Sequence, residues 1–258
     1  MTADLFDVSG KTALVTGGSR GIGLMIARGL VESGARVIVS SRKADDVTAT
    51  GQELAKLGDC VAIPGDVSTP EGAAALASAV QERFSSLDIL VNNAGAAWGA
   101  PLEEFPAGGW DKVLHTNVEG VFHLTVALLG ALRASADAED PARVINIGSI
   151  DGLRTPSVEN YSYSASKAAV HMLTRHLAKR LASELITVNA IAPGPVREQD
   201  DGVGARRPRA PPSRRAGGPA RADRPPRRRR WPDPAARLAR RRLHDRHRDP
   251  ARRRHHRL

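Results

Sequence analysis

The stretch that most constrains this chain is Thr12–Gly23. Thr12–Thr16 (TALVT) is a short apolar run with β-branched residues, and it opens directly into Gly17-Gly18-Ser19-Arg20-Gly21-Ile22-Gly23. A helical pattern follows over Ile22–Val31, with apolar residues at Ile22, Met25, Ile26 and Leu30, and Gly34 closes it. Arg36–Ser40 (RVIVS) then reads as a second strand. A strand, a tight turn and a helix in that order return the next strand parallel to the first, by a right-handed crossover. Glycine suits the turn because a Cβ there would meet backbone. Bare of side chains, the turn also lets main-chain amides approach a pyrophosphate at the positive end of the helix.

The alternation continues along the chain. Val61–Ile63, Ile89–Val91, Val144–Ile147 and Thr187–Ile191 read as further strands, with helical patterns over Thr48–Leu57, Glu71–Phe84, Trp110–Arg133 and Ser164–Leu185 between them. Short, wholly apolar strands separated by helices predict a parallel sheet covered on both faces. The expected class is therefore α/β, a Rossmann-type doubly wound parallel sheet in a single domain. Trp110–Arg133 is expected as one long amphipathic helix whose stripe is Val113, Leu114, Val121, Leu124, Leu128 and Leu132.

Charge divides the chain. Residues 196–258 hold 22 Arg, no Lys and 7 Asp plus Glu, a net +15, whereas residues 1–195 carry a net −5. The 63-residue tail contains only five Leu, Ile, Val or Phe, too few to offset the entropy of ordering it, so disorder is expected there. A single cysteine, Cys60, excludes an intramolecular disulfide and a cysteine-rich zinc site. His115, His123, His171 and His176 show no metal-ligand spacing, so no metal is expected. No apolar run approaches the length of about 18 residues that a membrane helix needs. Met1–Gly10, with Asp4 and Asp7 and no apolar segment, argues for a cytoplasmic protein.

Two arginines bear on a nucleotide. After the second strand an acid would accept hydrogen bonds from a ribose 2′-hydroxyl, but the chain reads Ser40-Ser41-Arg42, with no acid before Asp45. Arg42 and Arg20 can both reach that corner, and a guanidinium pairs well with a phosphate dianion. NADP(H) is therefore expected rather than NAD(H). Tyr163 and Lys167, four residues apart on a predicted helix, share one face. A phenol titrating near 10 is a poor acid at neutral pH, and a neighbouring ammonium favours its ionised form. Tyr161, the other tyrosine, has Ala165 where a lysine would be needed.

Taken in order, these features resemble the short-chain dehydrogenase/reductase family over roughly residues 8–195. The motifs are Thr16-Gly17-Gly18-Ser19-Arg20-Gly21-Ile22-Gly23, Gly65-Asp66-Val67, Asn92-Asn93-Ala94-Gly95, Asn117, Ser149, Tyr163-x-x-x-Lys167 and Pro193-Gly194. Asn92–Gly99, with Trp98, and Arg143–Ser149 are most similar to the rhamnolipid-associated 3-oxoacyl-(acyl-carrier-protein) reductases within it. The resemblance implies reduction of a 3-oxoacyl thioester, or action on another small ketone or alcohol, with acyl carrier protein as a possible partner. It implies a catalytic group of Asn117, Ser149, Tyr163 and Lys167. Tyr163 would donate the proton, Lys167 would assist it and hold the nicotinamide ribose, Ser149 would bond the substrate carbonyl, and Asn117 would hold a water. The cofactor would be bound by Gly17, Ser19, Arg20, Gly21, Ile22, Gly23, Arg42, Asp66, Val67, Asn93, Ala94, Gly95, Tyr163, Lys167, Pro193 and Gly194, with Asp66 at the adenine amine. A homodimer or homotetramer is implied for an intact member, through the helix over Trp110–Arg133.

After Gly194 the resemblance stops where a substrate lid, a last strand and a glycine pair are expected. Arg242–Arg257 can be encoded so that dropping one base yields AYMTGTVIPLDGGIT, which has the look of that missing strand and glycine pair. The same offset lets Val196–Pro208 read SESKMTAWVLDDP, like a lid. Arginine without lysine also fits GC-rich DNA read out of frame. A frameshift near Val196 is therefore expected, leaving residues 1–195 as a catalytic domain without its lid and 196–258 as out-of-frame text. The rival reading is an inactive product whose Arg-rich tail, including Arg227–Arg230, binds nucleic acid; such binding would be non-specific and steeply salt-dependent.

Overall fold

A computed structural model describes residues 6–194. Among these residues six strands form one parallel sheet: β1 Thr12–Thr16, β2 Arg36–Ser40, β3 Cys60–Ala62, β4 Ile89–Asn92, β5 Ala142–Ile147 and β6 Ile186–Ile191. Their spatial order is β3-β2-β1-β4-β5-β6, so the order reverses between β1 and β4. That is the doubly wound sheet expected from the alternation of strands and helices, and its crevice lies beyond the carboxyl ends of β1 and β4.

Among the described residues seven α-helices cover the faces: α1 Gly21–Glu32, α2 Ala44–Leu54, α3 Pro70–Gln81, α4 Ala107–Leu114, α5 Gly120–Ala127, α6 Leu129–Ser135 and α7 Tyr161–Leu181. Every residue of β1 is buried, and successive side chains go to opposite faces. Leu14 and Ile38 join the core packed with Leu76 and Val80 of α3, Leu124 of α5, Leu132 of α6 and Leu128 between the last two. Ala13, Val15, Val37 and Val39 join the other core, with Ala27 and Val31 of α1 and Val47 and Leu54 of α2. This two-sided burial is why the strands lack a polar alternation. β6, an edge strand among the described residues, does alternate: Ile186 and Val188 are buried, and Thr187 and Asn189 are exposed.

Helix ends shift from expectation where capping decides. α2 begins at Ala44 rather than Thr48, because Asp45 and Asp46 sit in its first turn, where carboxylates favour the helix dipole. α3 starts at Pro70, with Thr69 Oγ1 accepting from Gly72 N at 3.1 Å. α7 starts at Tyr161 and ends at Leu181, and a short 3₁₀ turn carries the chain to Leu185, whose φ is +57°.

The larger correction concerns Trp110–Arg133. The region is not one helix but α4, a π-turn over His115–Glu119, α5, a break at Leu128 and α6. The last break bends the path by 56°. A Cβ at Gly120 would lie 2.3 Å from Val67 O, so only glycine lets the chain pass there after the π-turn. The apolar stripe is largely spent inside the molecule: Val113, Val121, Leu124, Leu128 and Leu132 are all buried. No single described helix is long and apolar enough to cross a membrane.

Candidate active site

The carboxyl ends of β1, β4 and β5 converge, and each contributes one wall. The first is the glycine turn. Gly17 and Gly21 have φ of +62° and +54°, which glycine adopts without strain. A Cβ on Gly23 would stand 2.2 Å from Gly17 O, and one on Gly17 would stand 2.9 Å from Asn93 Nδ2. α1 opens at Gly21 behind Arg20, with no side-chain cap and no acid in its first turn. Its first amides and its dipole are thus left for an anion. Ser19 and Ile22 lie in the same turn.

Asn93, expected to touch a cofactor, braces this turn from behind. Its Nδ2 donates to Thr16 O at 2.8 Å and to Gly17 O at 3.1 Å. Thr16 Oγ1 accepts from the amides of Asn93 and Ala94, both at 3.0 Å, and donates to Val91 O at 3.2 Å. Thr16 escaped sequence reasoning; its signal was a β-branched hydroxyl on the last residue of a buried strand. Arg20 and Arg42 are exposed, one before α1 and one after β2. Asp66 is exposed after β3, and its Oδ1 accepts from Ser68 N at 2.9 Å, while Val67 behind it is buried.

The second wall follows β4, where Gly95 and Ala96 face the π-turn. Asn117 is 1% exposed, and every hydrogen-bonding atom of its side chain is used. Oδ1 accepts from Ala96 N at 2.7 Å, and Nδ2 donates to Ala96 O and to Ser166 Oγ, each at 2.9 Å. Trp98 packs its ring on Gly109 of α4, where a Cβ would stand 2.9 Å away.

The third wall joins β5 to α7. Lys167 is 5% exposed, and its Nζ donates to Ile147 O at 2.6 Å. Nζ also lies 5.6 Å from the centroid of the Tyr163 ring. Burial pushes the Lys167 ammonium down to about 8. Ser149 ends the strand path; its Oγ accepts from Asp151 N at 3.1 Å. His171, one turn beyond Lys167, bonds Ser149 O at 3.1 Å; a carbonyl only accepts, so Nε2 carries the proton. A Cβ on Gly148 would lie 2.4 Å from that ring. Tyr161 is separate: its hydroxyl donates to Glu159 Oε1 at 2.9 Å, which pushes the phenol up.

Gly194 lies 3.9 Å, measured from its Cβ position, from Ile150 Cδ1, and Pro193 O accepts from Ile150 N at 3.2 Å. The end of β6 therefore adjoins the segment after Ser149. The missing lid, the disordered tail and its nucleic-acid binding, expected for residues 196–258, lie outside the described residues. Among the described residues no cluster of three or more metal-ligating side chains occurs.

Comparison with known proteins gives a consistent result. The short chain dehydrogenase family matches residues 11–202. The rhamnolipids biosynthesis 3-oxoacyl-[acyl-carrier-protein] reductase of Pseudomonas aeruginosa is 54% identical over 189 residues, 73% of this chain and 74% of that protein. A 3-oxoacyl-[acyl-carrier-protein] reductase of Vibrio cholerae is 36% identical over 188 residues, covering 73% and 74%. Among solved structures, a Pseudomonas aeruginosa RhlG/NADP active-site complex superposes with a TM-score of 0.74 at 53% identity, over 75% of this chain and 76% of that one.

Proposed function

This chain belongs to the short-chain dehydrogenase family, and from that premise we propose that it is an NADPH-dependent reductase of 3-oxoacyl thioesters, with Tyr163 as proton donor. It is an oxidoreductase. The observation that carries the finer reading is the third wall: a buried Lys167 one helical turn from Tyr163, on the helix that also fastens the strand end bearing Ser149.

The residues present fit a dinucleotide phosphate. The cradle is open only because Gly17 and Gly23 lack a Cβ, and the uncapped start of α1 favours an anion. Gly17, Ser19, Arg20, Gly21, Ile22 and Gly23 would hold the pyrophosphate side, with Arg20 and Arg42 on a 2′-phosphate. Asp66 and Val67 would meet the adenine, and Asn93, Ala94 and Gly95 would line the middle. Pro193, Gly194, Tyr163 and Lys167 would hold the nicotinamide end. Bound there, the cofactor supplies the hydride.

The chain's own groups do the rest. The Ser149 hydroxyl orients the ketone oxygen, and Tyr163 passes its phenolic proton to that oxygen as charge develops. Lys167, held by Ile147 O, places positive charge below the phenol and stabilises the phenolate left behind. A water at Asn117 falls to its main chain, since the side chain is fully engaged. The relatives named as carrier-protein reductases support the thioester, and through it acyl carrier protein as partner.

The test is NADPH binding by fluorescence followed by oxidation of NADPH with an acetoacetyl thioester and with uncharged small ketones. Binding with preferential turnover of the thioester supports the reading; faster turnover of a small ketone replaces the substrate class. If residues 196–258 are out-of-frame text, the chain binds NADPH and turns over weakly. Resequencing the coding DNA across codons 190–258 then shows an inserted or deleted base.

A further inference from the structure

Ser166 lies inside the Tyr163-x-x-x-Lys167 motif, where neither Tyr163 nor Lys167 needs it for the chemistry. It is 0% exposed. Its hydroxyl makes two bonds of opposite sense: Oγ accepts from Asn117 Nδ2 at 2.9 Å and donates to Tyr163 O at 2.7 Å. Asn117 in turn clamps both main-chain groups of Ala96. A continuous buried path thus runs from the segment after β4, through the π-turn, to the main chain of Tyr163.

Each member of this path has its polar atoms matched. A hydroxyl has one proton to donate, and that of Ser166 goes to Tyr163 O. Asn117 has two amide protons; one goes to Ala96 O and the other to Ser166. Asn117 lies at the middle of the π-turn and is 1% exposed; such bulges recur at functional sites. A residue three positions after Tyr163 shares its face of α7, which lets Ser166 meet both Asn117 and the main chain of Tyr163.

We propose that Ser166 is a positioning residue: its buried hydroxyl registers the first turn of α7 against the π-turn, and so fixes where the Tyr163 ring stands above Lys167. The proposal rests on Tyr163 as the acid, but it concerns the placement of that ring and is read without turnover.

The chain has only two tyrosines, Tyr161 and Tyr163, which makes the readout specific. Full-length protein with ¹³C-labelled tyrosine rings gives two sets of ring signals, and Tyr161→Phe identifies the set of Tyr163. Ser166→Ala is expected to move or broaden the Tyr163 signals while those of Tyr161 hold. Ser166→Thr, which keeps the hydroxyl, is expected to return them. Should the alanine variant fail to fold, Ser166→Cys fills nearly the same space with a weaker donor and is expected to move the same signals. Tyr163 signals unmoved in the folded variants, or moved as far in Ser166→Thr, overturn the proposal. Failure of the wild-type chain to bind NADPH would instead overturn the reading of the preceding subsection and leave this result standing.

Discussion

The glycine cradle and the catalytic corner are built in opposite ways. The cradle works by absence: Gly17 and Gly23 leave room that a single methyl would fill, with main chain 2.2 Å from the missing Cβ of Gly23. The corner works by presence. Asn92 Nδ2 donates to Asn146 Oδ1 at 2.9 Å and to Thr125 Oγ1 at 3.1 Å, and Asn146 Nδ2 donates to Thr174 Oγ1 at 2.9 Å. With Asn117, Ser166 and Lys167 this makes a buried polar framework tying β4 and β5 to α5 and α7. A steric cradle tolerates no added atom. In a polar framework a lost partner leaves a buried group unpaired at a cost of about 1–3 kcal/mol, which only the relief of an equally disfavoured buried charge offsets.

The corner should break most sharply at Lys167. Lys167→Met is expected to lower kcat by at least about a hundredfold, the scale of lost acid–base assistance. It should also stabilise the fold. Burial lowers the Lys167 pKa from 10.5 to about 8, so below pH 8 the folded chain holds a charge it disfavours. That penalty shrinks between about 8 and 10.5, as the folded group is neutral while the unfolded one is still protonated. The gain in Tm of the methionine variant should therefore be largest at neutral pH and fade by about pH 10.5. A variant less stable than wild type at pH 7 would mean that the bond to Ile147 O outweighs desolvation.

The cradle should break at Gly23. Gly23→Ala is expected to cost about 1–3 kcal/mol, as overpacking does, and to abolish NADPH binding measured by fluorescence. Arg42→Glu sharpens the same side without harming the fold, because the residue is exposed. It should weaken NADPH about tenfold or more relative to NADH, the value of one charged contact to phosphate. Gly148→Ala tests the corner by addition. Its Cβ displaces the His171 ring, and kcat should fall with NADPH affinity unchanged, by a smaller factor than for Lys167→Met.

Much of the cradle was legible in the letters. Glycine spacing after a β-branched run reports a steric requirement, and that requirement is local. The position of Tyr163 relative to Lys167 was legible for the same reason, since helical periodicity alone places them together. The corner was less so. Asn93 read as a cofactor contact, and its bonds to Thr16 O and Gly17 O gave no signal in the letters. Trp110–Arg133 read as one helix, because its apolar period survives the π-turn and the break at Leu128. His171 and Ser166 gave no signal, as each acts through a main-chain carbonyl and a carbonyl belongs to every residue.

What the sequence alone determined is therefore whatever follows from neighbours along the chain: parallel strands, the glycine turn, the shared face of Tyr163 and Lys167, and the charge divide at residue 195. What only the tertiary structure decided is which distant groups meet. Ala96, Asn117, Ser166 and Tyr163 span 71 positions yet form one hydrogen-bonded path. Hydrogen bonding is short-ranged and directional, so its partners are fixed only when the sheet order and the helix breaks have brought the chain ends of β4 and β5 beside α7.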